Sequence, residues 1–336
     1  MVLGLGCLGL VGIGVVMLAV GAVVVETAGG TATVTPTPVV VSSTPVGPQS
    51  STRPPTPTPT PPPTPTPAGP SRAHPQDVAY ANAGYRPPAA RINVPPPRPE
   101  SSQEAVTMRT SSRVYGQVVP GPTSCPYDPT DMKSVDQTQQ VMDATVVCLM
   151  SLWEPTLTRA GYELPRPPVY LVDKDFDTPC GRVQVAQLAG VYCSGNGVIY
   201  MRFPQTTGRR ADGLLTYIVE TVLAHEFGHH VSARVGTLTA SWWLRYEAPT
   251  EEAANQEVRR AELQADCFAG LALASMARSY SLTPEDMAAI ARDRGLRSNP
   301  THGTSKNRSL WVRTGMEAGG QVGRCNTFAA ADQDVA

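Results

Sequence analysis

Proline sets the first limit on what this chain can fold into. Of 34 prolines in 336 residues, 21 fall between residues 31 and 100. Each removes a backbone donor and fixes φ, so the tract TPTPVVVSSTPVGPQSSTRPPTPTPTPPPTPTPAGP favours polyproline II over helix or sheet. Residues 28–104 are therefore expected to form a disordered Pro/Thr-rich linker, a stalk whose stretch from 31 to 100 reaches roughly 200 Å at about 3.1 Å per residue. Its threonines are either a passive linker's or sites of glycosylation. What can fold is 105–336, where 22 Lys plus Arg stand against 24 Asp plus Glu, a net of −2. With no basic run or patch, nucleic acid is excluded as a partner.

Ahead of the stalk, Val2 to Val25 carries no charged side chain. As a helix these residues rise about 36 Å, enough to cross a hydrocarbon core of about 30 Å. Residues 1–27 are read as a single-pass transmembrane anchor, with a cleaved signal peptide as the alternative, since Ala19, Gly21 and Ala22 offer small residues but no Lys or Arg precedes them. Gly4, Gly6 and Gly9 spell G-x-G-x-x-G inside this apolar run, where no βαβ unit exists to give the pattern meaning. Beyond Cys7 there are six cysteines, Cys125, Cys148, Cys180, Cys193, Cys267 and Cys325, none in C-x-x-C spacing. An even set behind an export-like N-terminus is expected to form disulfides outside the cytoplasm, rather than to remain as buried thiols. The pairing that closes local loops first joins 125 with 148 and 180 with 193, leaving 267 with 325. The expected location is the cell membrane with the folded domain extracytoplasmic, or secretion if the N-terminus is cleaved.

The run GLLTYIVETVLAHEFGHHVSARVG places Leu214, Ile218 and Val222 on one helical stripe from about Asp212 to Arg234, and His225 and His229 continue it. Residues four apart differ by only about 40° around the axis, so both imidazoles can reach one ion while Glu226 is turned aside toward a bound water. With 5 His and 14 Glu in the chain, random order gives H-E-x-x-H in roughly 3 of 1,000 such sequences. The neighbouring His230 reads as a solvated residue. A catalytic zinc takes three protein ligands and keeps a position for water. On a second expected helix, PTEEAANQEVRRAELQADCFAGLALASMA, Glu262 and Asp266 stand four apart. Glu262 can complete a His, His, Glu set, with Asp266 accepting the other ring N–H of a ligand histidine. By spacing alone, an ion-pair face of Arg260, Glu262 and Asp266 is the favoured reading.

HEFGHH, then RAELQADCFAG, then THGTSKNRSLWVRTGMEAGGQVGRCNTF, preceded by TPCG at 178–181 and Tyr192-Cys193, resemble the bacterial putative neutral zinc metallopeptidase family. The resemblance runs from about Trp153 to Phe328 and leaves out the stalk and the Cys125/Cys148 pair. It implies an α+β, helix-rich zincin-like metallopeptidase domain with a small sheet, holding one Zn²⁺ per chain. It also implies zinc ligation by His225 and His229, Glu226 as general base, and a gluzincin-like E-x-x-x-D contributing Glu262 and Asp266. Sites of that kind add a His or Tyr donor for the oxyanion, a place for which His302 and Tyr246 are the candidates. On the residues alone, the favoured reading of His302 is that it caps or packs the following helix, where Thr304 or Ser305 acts as N-cap.

Around these motifs the sequence predicts a helix from about Ser134 to Arg159, strands at Val169–Val172 and Val198–Arg202, and a helix opening at Thr283-Pro284-Glu285. By analogy with zincins, Val198–Met201 is expected to be an edge strand able to hold an extended peptide. Trp242 and Trp243 are core aromatics, or line a cleft or a lipid contact. Three functional classes follow. The favoured one is a membrane-anchored extracytoplasmic zinc peptidase acting on proteins of the cell envelope. The others are a zinc-stabilised, non-catalytic envelope binding module and a wall-spanning structural protein.

Overall fold

The computed structural model describes residues 88–336 except 124, 126–133, 188, 203–213 and 293–297, and for residues 214–220 the backbone alone. The expected anchor at 1–27 and the Pro/Thr tract lie outside the described residues, and among those described no helix is long and apolar enough to cross a membrane. The domain is helix-rich, with a three-stranded sheet and a separate two-stranded one. Helix α1 (Ser102–Thr110) starts at the Ser101 cap. Residues 88–104, assigned by composition to the linker, lie against the domain. Arg91 N–H donates to the Arg166 carbonyl and Asn93 N–H to that of Asn196, both at 2.9 Å. The Arg234 guanidinium donates to the carbonyls of Val94 and Pro95.

Helix α2 (Val135–Arg159) opens where Ser134 Oγ accepts the Gln137 N–H and Asp136 favours the positive helix end. It is buried on nearly every side from Val141 to Met150, so it sits at the centre. The chain then forms β1 (Val169–Val172), a hairpin of β2 (Phe176–Thr178) and β3 (Gly181–Val183), and a second hairpin of β4 (Gly190–Cys193) and β5 (Val198–Arg202). Both strands read from the sequence are present with the expected bounds, but the sheet order is β1-β5-β4. β5 pairs in parallel with β1, Val169 facing Ile199, and antiparallel with β4, Cys193 facing Val198. The strand expected at an edge is therefore the central one. It carries the sheet's hydrophobic middle, with Val198, Ile199 and Met201 buried, and the edge nearest the motif helix is β4.

Helix α3 (Leu214–Arg234) carries HEFGHH. Phe227 is fully buried and lies about 200° around the axis from His225. Burying it contributes about 2–3 kcal/mol, which fixes the helix rotation that turns His225 and His229 the other way. A helix not foreseen, α4 (Thr237–Glu247), follows after one turn at Gly236. It carries Trp242 and Trp243, both half-buried, with Trp242 against the core and the Arg245 guanidinium 4.7 Å from its ring centre.

Helix α5 (Glu251–Met276) starts at the Thr250 cap with Glu251 and Glu252 in its first turn. It is buried all round from Val258 to Leu273. Helix α6 (Pro284–Ala291) has a Thr283/Asp286 capping box, and α7 (Ser305–Met316) starts at the Thr304 cap. Three disulfides join Cys125 to Cys148, Cys180 to Cys193 and Cys267 to Cys325 across Cα separations of 5.7, 5.7 and 5.5 Å. This is the pairing that closes the local loops first.

Two close approaches place the helices that matter. A Cβ on Gly228 of α3 would stand 3.1 Å from the Ala265 Cα and carbonyl oxygen of α5. Glycine there lets the two backbones meet between the histidines and the acidic pair. At the α5–α7 crossing a Cβ on Gly270 would lie 2.0 Å from the Val312 carbonyl oxygen, and one on Gly315 would lie 2.0 Å from that of Cys267.

Candidate metal centre

Helices α3, α5 and the loop before α7 bring three imidazoles to one carboxylate oxygen. His225 Nε2 stands 3.2 Å from Glu262 Oε2, His229 Nε2 3.1 Å and His302 Nε2 3.2 Å. The two α3 nitrogens are 3.2 Å apart. Donors sharing one zinc at about 2.0–2.2 Å with tetrahedral angles lie roughly 3.3–3.6 Å apart, so this spacing suits a single ion. Donor atoms of His225, Glu262 and His302 also lie within 4.8 Å of one another. His302 Nε2 is buried and, despite its proximity to Glu262, makes no aligned hydrogen bond, which leaves it an unpartnered polar atom facing the cluster. The donor set of imidazole and carboxylate is one that zinc takes.

The tautomers follow from the outer partners. Asp266 Oδ1 lies 2.9 Å from His225 Nδ1, so Nδ1 carries a proton and Nε2 is the nitrogen left to give its lone pair to a metal. Arg308 grips the same carboxylate twice, Nε to Oδ2 at 2.9 Å and Nη2 to Oδ1 at 3.0 Å, and both side chains are 4% exposed. Burial alone would raise the Asp266 pKa, but the Arg308 charge and the His225 bond hold it well below the usual carboxylate range. Without metal, burial of His225 is outweighed by its bonds to Asp266 and Glu262, which push it up to about 10. Burial likewise opposes ionisation of Glu262, and His302 and His229 overcome it, lowering its pKa well below normal.

For His302 the loop decides. Asn299 Oδ1 already accepts from the backbone N–H groups of Thr301 and His302 and from Thr301 Oγ1. Asn299 Nδ2, 3.1 Å from His302 Nδ1, is then the donor to that ring nitrogen. The proton sits on Nε2, and burial lowers the His302 pKa to about 4, so the ring is neutral at pH 7. His302 thus offers an N–H to the cluster, while the Glu262 carboxylate offers lone pairs and His225 turns its Nε2 inward.

Glu226 is 2% exposed and its pKa is raised by burial, offset by the charges of His225 and His229. Its Oε2 accepts the Tyr192 backbone N–H at 2.8 Å. Gly190, two residues earlier on β4, leaves the space: a Cβ there would stand 2.9 Å from Glu226 Cγ. Tyr246 is not brought to this place, being 61% exposed near the end of α4, where its ring lies tilted 6.4 Å from that of Trp242. His230, read from sequence as solvated, is buried. Sequence reasoning also passed over Arg308. The available signal was a cation four residues after a helix cap, where the macrodipole disfavours positive charge and a buried partner is needed.

A sequence profile described as "Putative neutral zinc metallopeptidase" matches residues 116–328. The match begins well before Trp153, so the Cys125–Cys148 pair falls inside it. The uncharacterized protein YpfJ of Escherichia coli K12 is 30% identical over 195 residues, covering 52% of this chain and 66% of YpfJ. The uncharacterized proteins Mb2605 of Mycobacterium bovis and Rv2575 of Mycobacterium tuberculosis H37Rv are each 30% identical over 210 residues, 54% of this chain and 68% of theirs. The chain thus spans just under two thirds of the length of YpfJ. No solved structure matches. Since the profile spans both motif helices and the loop of His302, the chain belongs to the putative neutral zinc metallopeptidase family.

Proposed function

We propose that this chain is an extracytoplasmic zinc peptidase, held at the membrane by residues 1–27 and acting on peptide bonds of envelope proteins. The observation that carries the chemical reading is the convergence of His225, His229 and Glu262 beside the buried carboxylate of Glu226. Zinc, when bound, supplies a Lewis acid that activates water and polarises a carbonyl. His225 and His229 present Nε2, and Glu262 presents Oε2, as its ligands. Asp266 keeps His225 in the ligating tautomer, and Arg308 keeps Asp266 charged. Glu226 takes a proton from the attacking water and returns it to the leaving amine, a task its raised pKa suits. His302, through Nε2–H, donates to the oxygen that gains charge. The paired cysteines and the Pro/Thr tract support placement outside the cytoplasm.

The test is cleavage of a diverse peptide library by the zinc-loaded full-length protein beside Glu226→Gln. Cuts by the native chain alone support the peptidase. Two proteins that each hold one zinc and cut nothing put the non-catalytic binding module in its place. Anchoring is read separately, by mass spectrometry of the N-terminus in the membrane fraction. An intact first segment is expected, and a start near residues 23–30 would mean secretion.

Two expectations concern the metal. Glu262→Gln is expected to weaken zinc binding about 100-fold, beyond most losses caused by outer-shell changes, as measured by competition with a chelator. Full stoichiometry at native affinity would remove Glu262 from the ligand set. The pH dependence has a definite sign. His225 is protonated below about 10 in the metal-free site, so zinc must displace that proton. Apparent affinity is expected to rise about tenfold per pH unit between 7 and 9, and a flat profile would count against ligation by His225.

A further inference from the structure

His230 follows the second motif histidine and belongs to no part of the mechanism above, yet both its ring nitrogens are engaged. Nε2 lies 2.7 Å from the Pro165 carbonyl oxygen, and Nδ1 lies 3.1 Å from the Tyr192 hydroxyl. A carbonyl only accepts, so Nε2 carries the proton. Nδ1 is left as an acceptor, and the Tyr192 O–H must donate to it. The rings meet nearly edge to face with centroids 5.3 Å apart.

Tyr192 is also the residue whose backbone N–H donates to Glu226 Oε2. On β4, Tyr192 lies opposite Ile199 of β5, between the pairs Val191–Tyr200 and Cys193–Val198. The main chain of Tyr192, one residue out of phase, turns its N–H away from the sheet and toward α3. An unbroken chain of bonds runs from the Pro165 carbonyl through the His230 ring and the Tyr192 side chain and backbone to one oxygen of Glu226. The other oxygen, Oε1, is the one left to take a proton.

We propose that Tyr192 and His230 are positioning residues for Glu226, fixing Oε2 so that Oε1 is the atom that exchanges the proton with water and leaving amine. This rests on the peptidase reading for its consequence in turnover, but not for the bonds themselves. A misplacement of about 1 Å at a reacting group can lower a rate as much as 100-fold, and a strand loosened at one side chain shifts less. Tyr192→Phe is therefore expected to lower kcat about tenfold, with KM within about twofold and one zinc retained per chain.

Two substitutions of His230 separate positioning from simple anchoring of Pro165. The oxygen of Asn falls near the place of Nδ1 and can accept from the Tyr192 hydroxyl, whereas the amide nitrogen of Gln falls near Nε2 and keeps only the Pro165 bond. His230→Asn is expected to stay within about threefold of native kcat and His230→Gln to fall about tenfold. Tyr192→Phe/His230→Gln is expected to be no slower than Tyr192→Phe by more than about twofold, since both cut the same chain. The reverse order of the Asn and Gln variants, or additive losses in the double variant, would overturn the proposal.

An independent arm needs no turnover. In the zinc-loaded full-length protein, the backbone amide of residue 192, followed by hydrogen exchange, is expected to exchange at least about tenfold faster in Glu226→Ala than in the native chain. The amides of 191 and 193 are expected to keep their rates. Equal rates at residue 192 in both proteins would overturn the proposal. A native chain that cuts nothing would defeat the peptidase reading, and the exchange result would still decide whether Tyr192 holds Glu226.

Discussion

Glu226→Gln is expected to lower kcat about 10³-fold, within the ~10²–10⁴-fold span of general-base catalysis, while zinc content stays at one per chain. The amide has nearly the volume of the carboxylate, and its oxygen can still accept the Tyr192 N–H that Glu226 receives at 2.8 Å. The substitution therefore leaves the packing of β4 against α3 intact. It removes the ability to carry a proton from water to the leaving amine. Burial strengthens the case, because it raises the Glu226 pKa and makes the carboxylate a better base than an exposed one. Metal analysis beside steady-state kinetics checks both halves. A variant within tenfold of native turnover would remove Glu226 from the proton transfer, and one that lost its zinc would make it a structural part of the site.

Arg308→Met is expected to cost about 3–5 kcal/mol of folding free energy at pH 7, the usual penalty for removing one partner of a buried ion pair. Arg308 and Asp266 are each 4% exposed and share two hydrogen bonds. Without the guanidinium, the Asp266 charge stays in a place that water does not reach, with His225 as its remaining partner in the cluster. The pH dependence follows from the same pair. The native Asp266 pKa is depressed, so its contribution to stability is present above the unfolded value of about 3.9 and is lost as pH falls through the folded one. The deficit of the variant is thus largest at neutral pH and shrinks below about pH 4. Chemical denaturation at pH 7 and pH 3 measures it, and a deficit under 1 kcal/mol at pH 7 would mean the charge is compensated elsewhere.

What the sequence made legible is what local periodicity encodes. The four-residue spacings His225–His229 and Glu262–Asp266 put each pair on one helix face wherever the helices go. Ser134, Thr283 and Thr304 cap the helices expected to start there. The strands at Val169–Val172 and Val198–Arg202 have their expected bounds. Hidden were relations between distant segments. The parallel pairing of β1 with β5 makes β5 central, and nothing within its five residues marks that. Helix α4 hides because its two tryptophans and Arg245 give no clean apolar stripe. His230 is one residue from His229, hence about 100° around the helix, and whether that direction meets solvent or the Tyr192 hydroxyl depends on a strand 38 residues earlier. The Tyr192 N–H is invisible in principle to a reading of side chains.

The crossing of α5 and α7 at Gly270 and Gly315 bears on how sequences of this fold can vary. Each glycine faces a carbonyl oxygen of the opposite helix at a distance no methyl group can occupy. Gly270 is one turn past Asp266 on α5, and Gly315 is two turns past Arg308 on α7. Lengthening either side chain by a single carbon would pry apart the helices whose spacing sets that ion pair. In a saturation scan of the chain, these two positions, remote from any reacting atom, should tolerate replacement as poorly as the histidines themselves. Intolerance there would report on helix spacing rather than on chemistry.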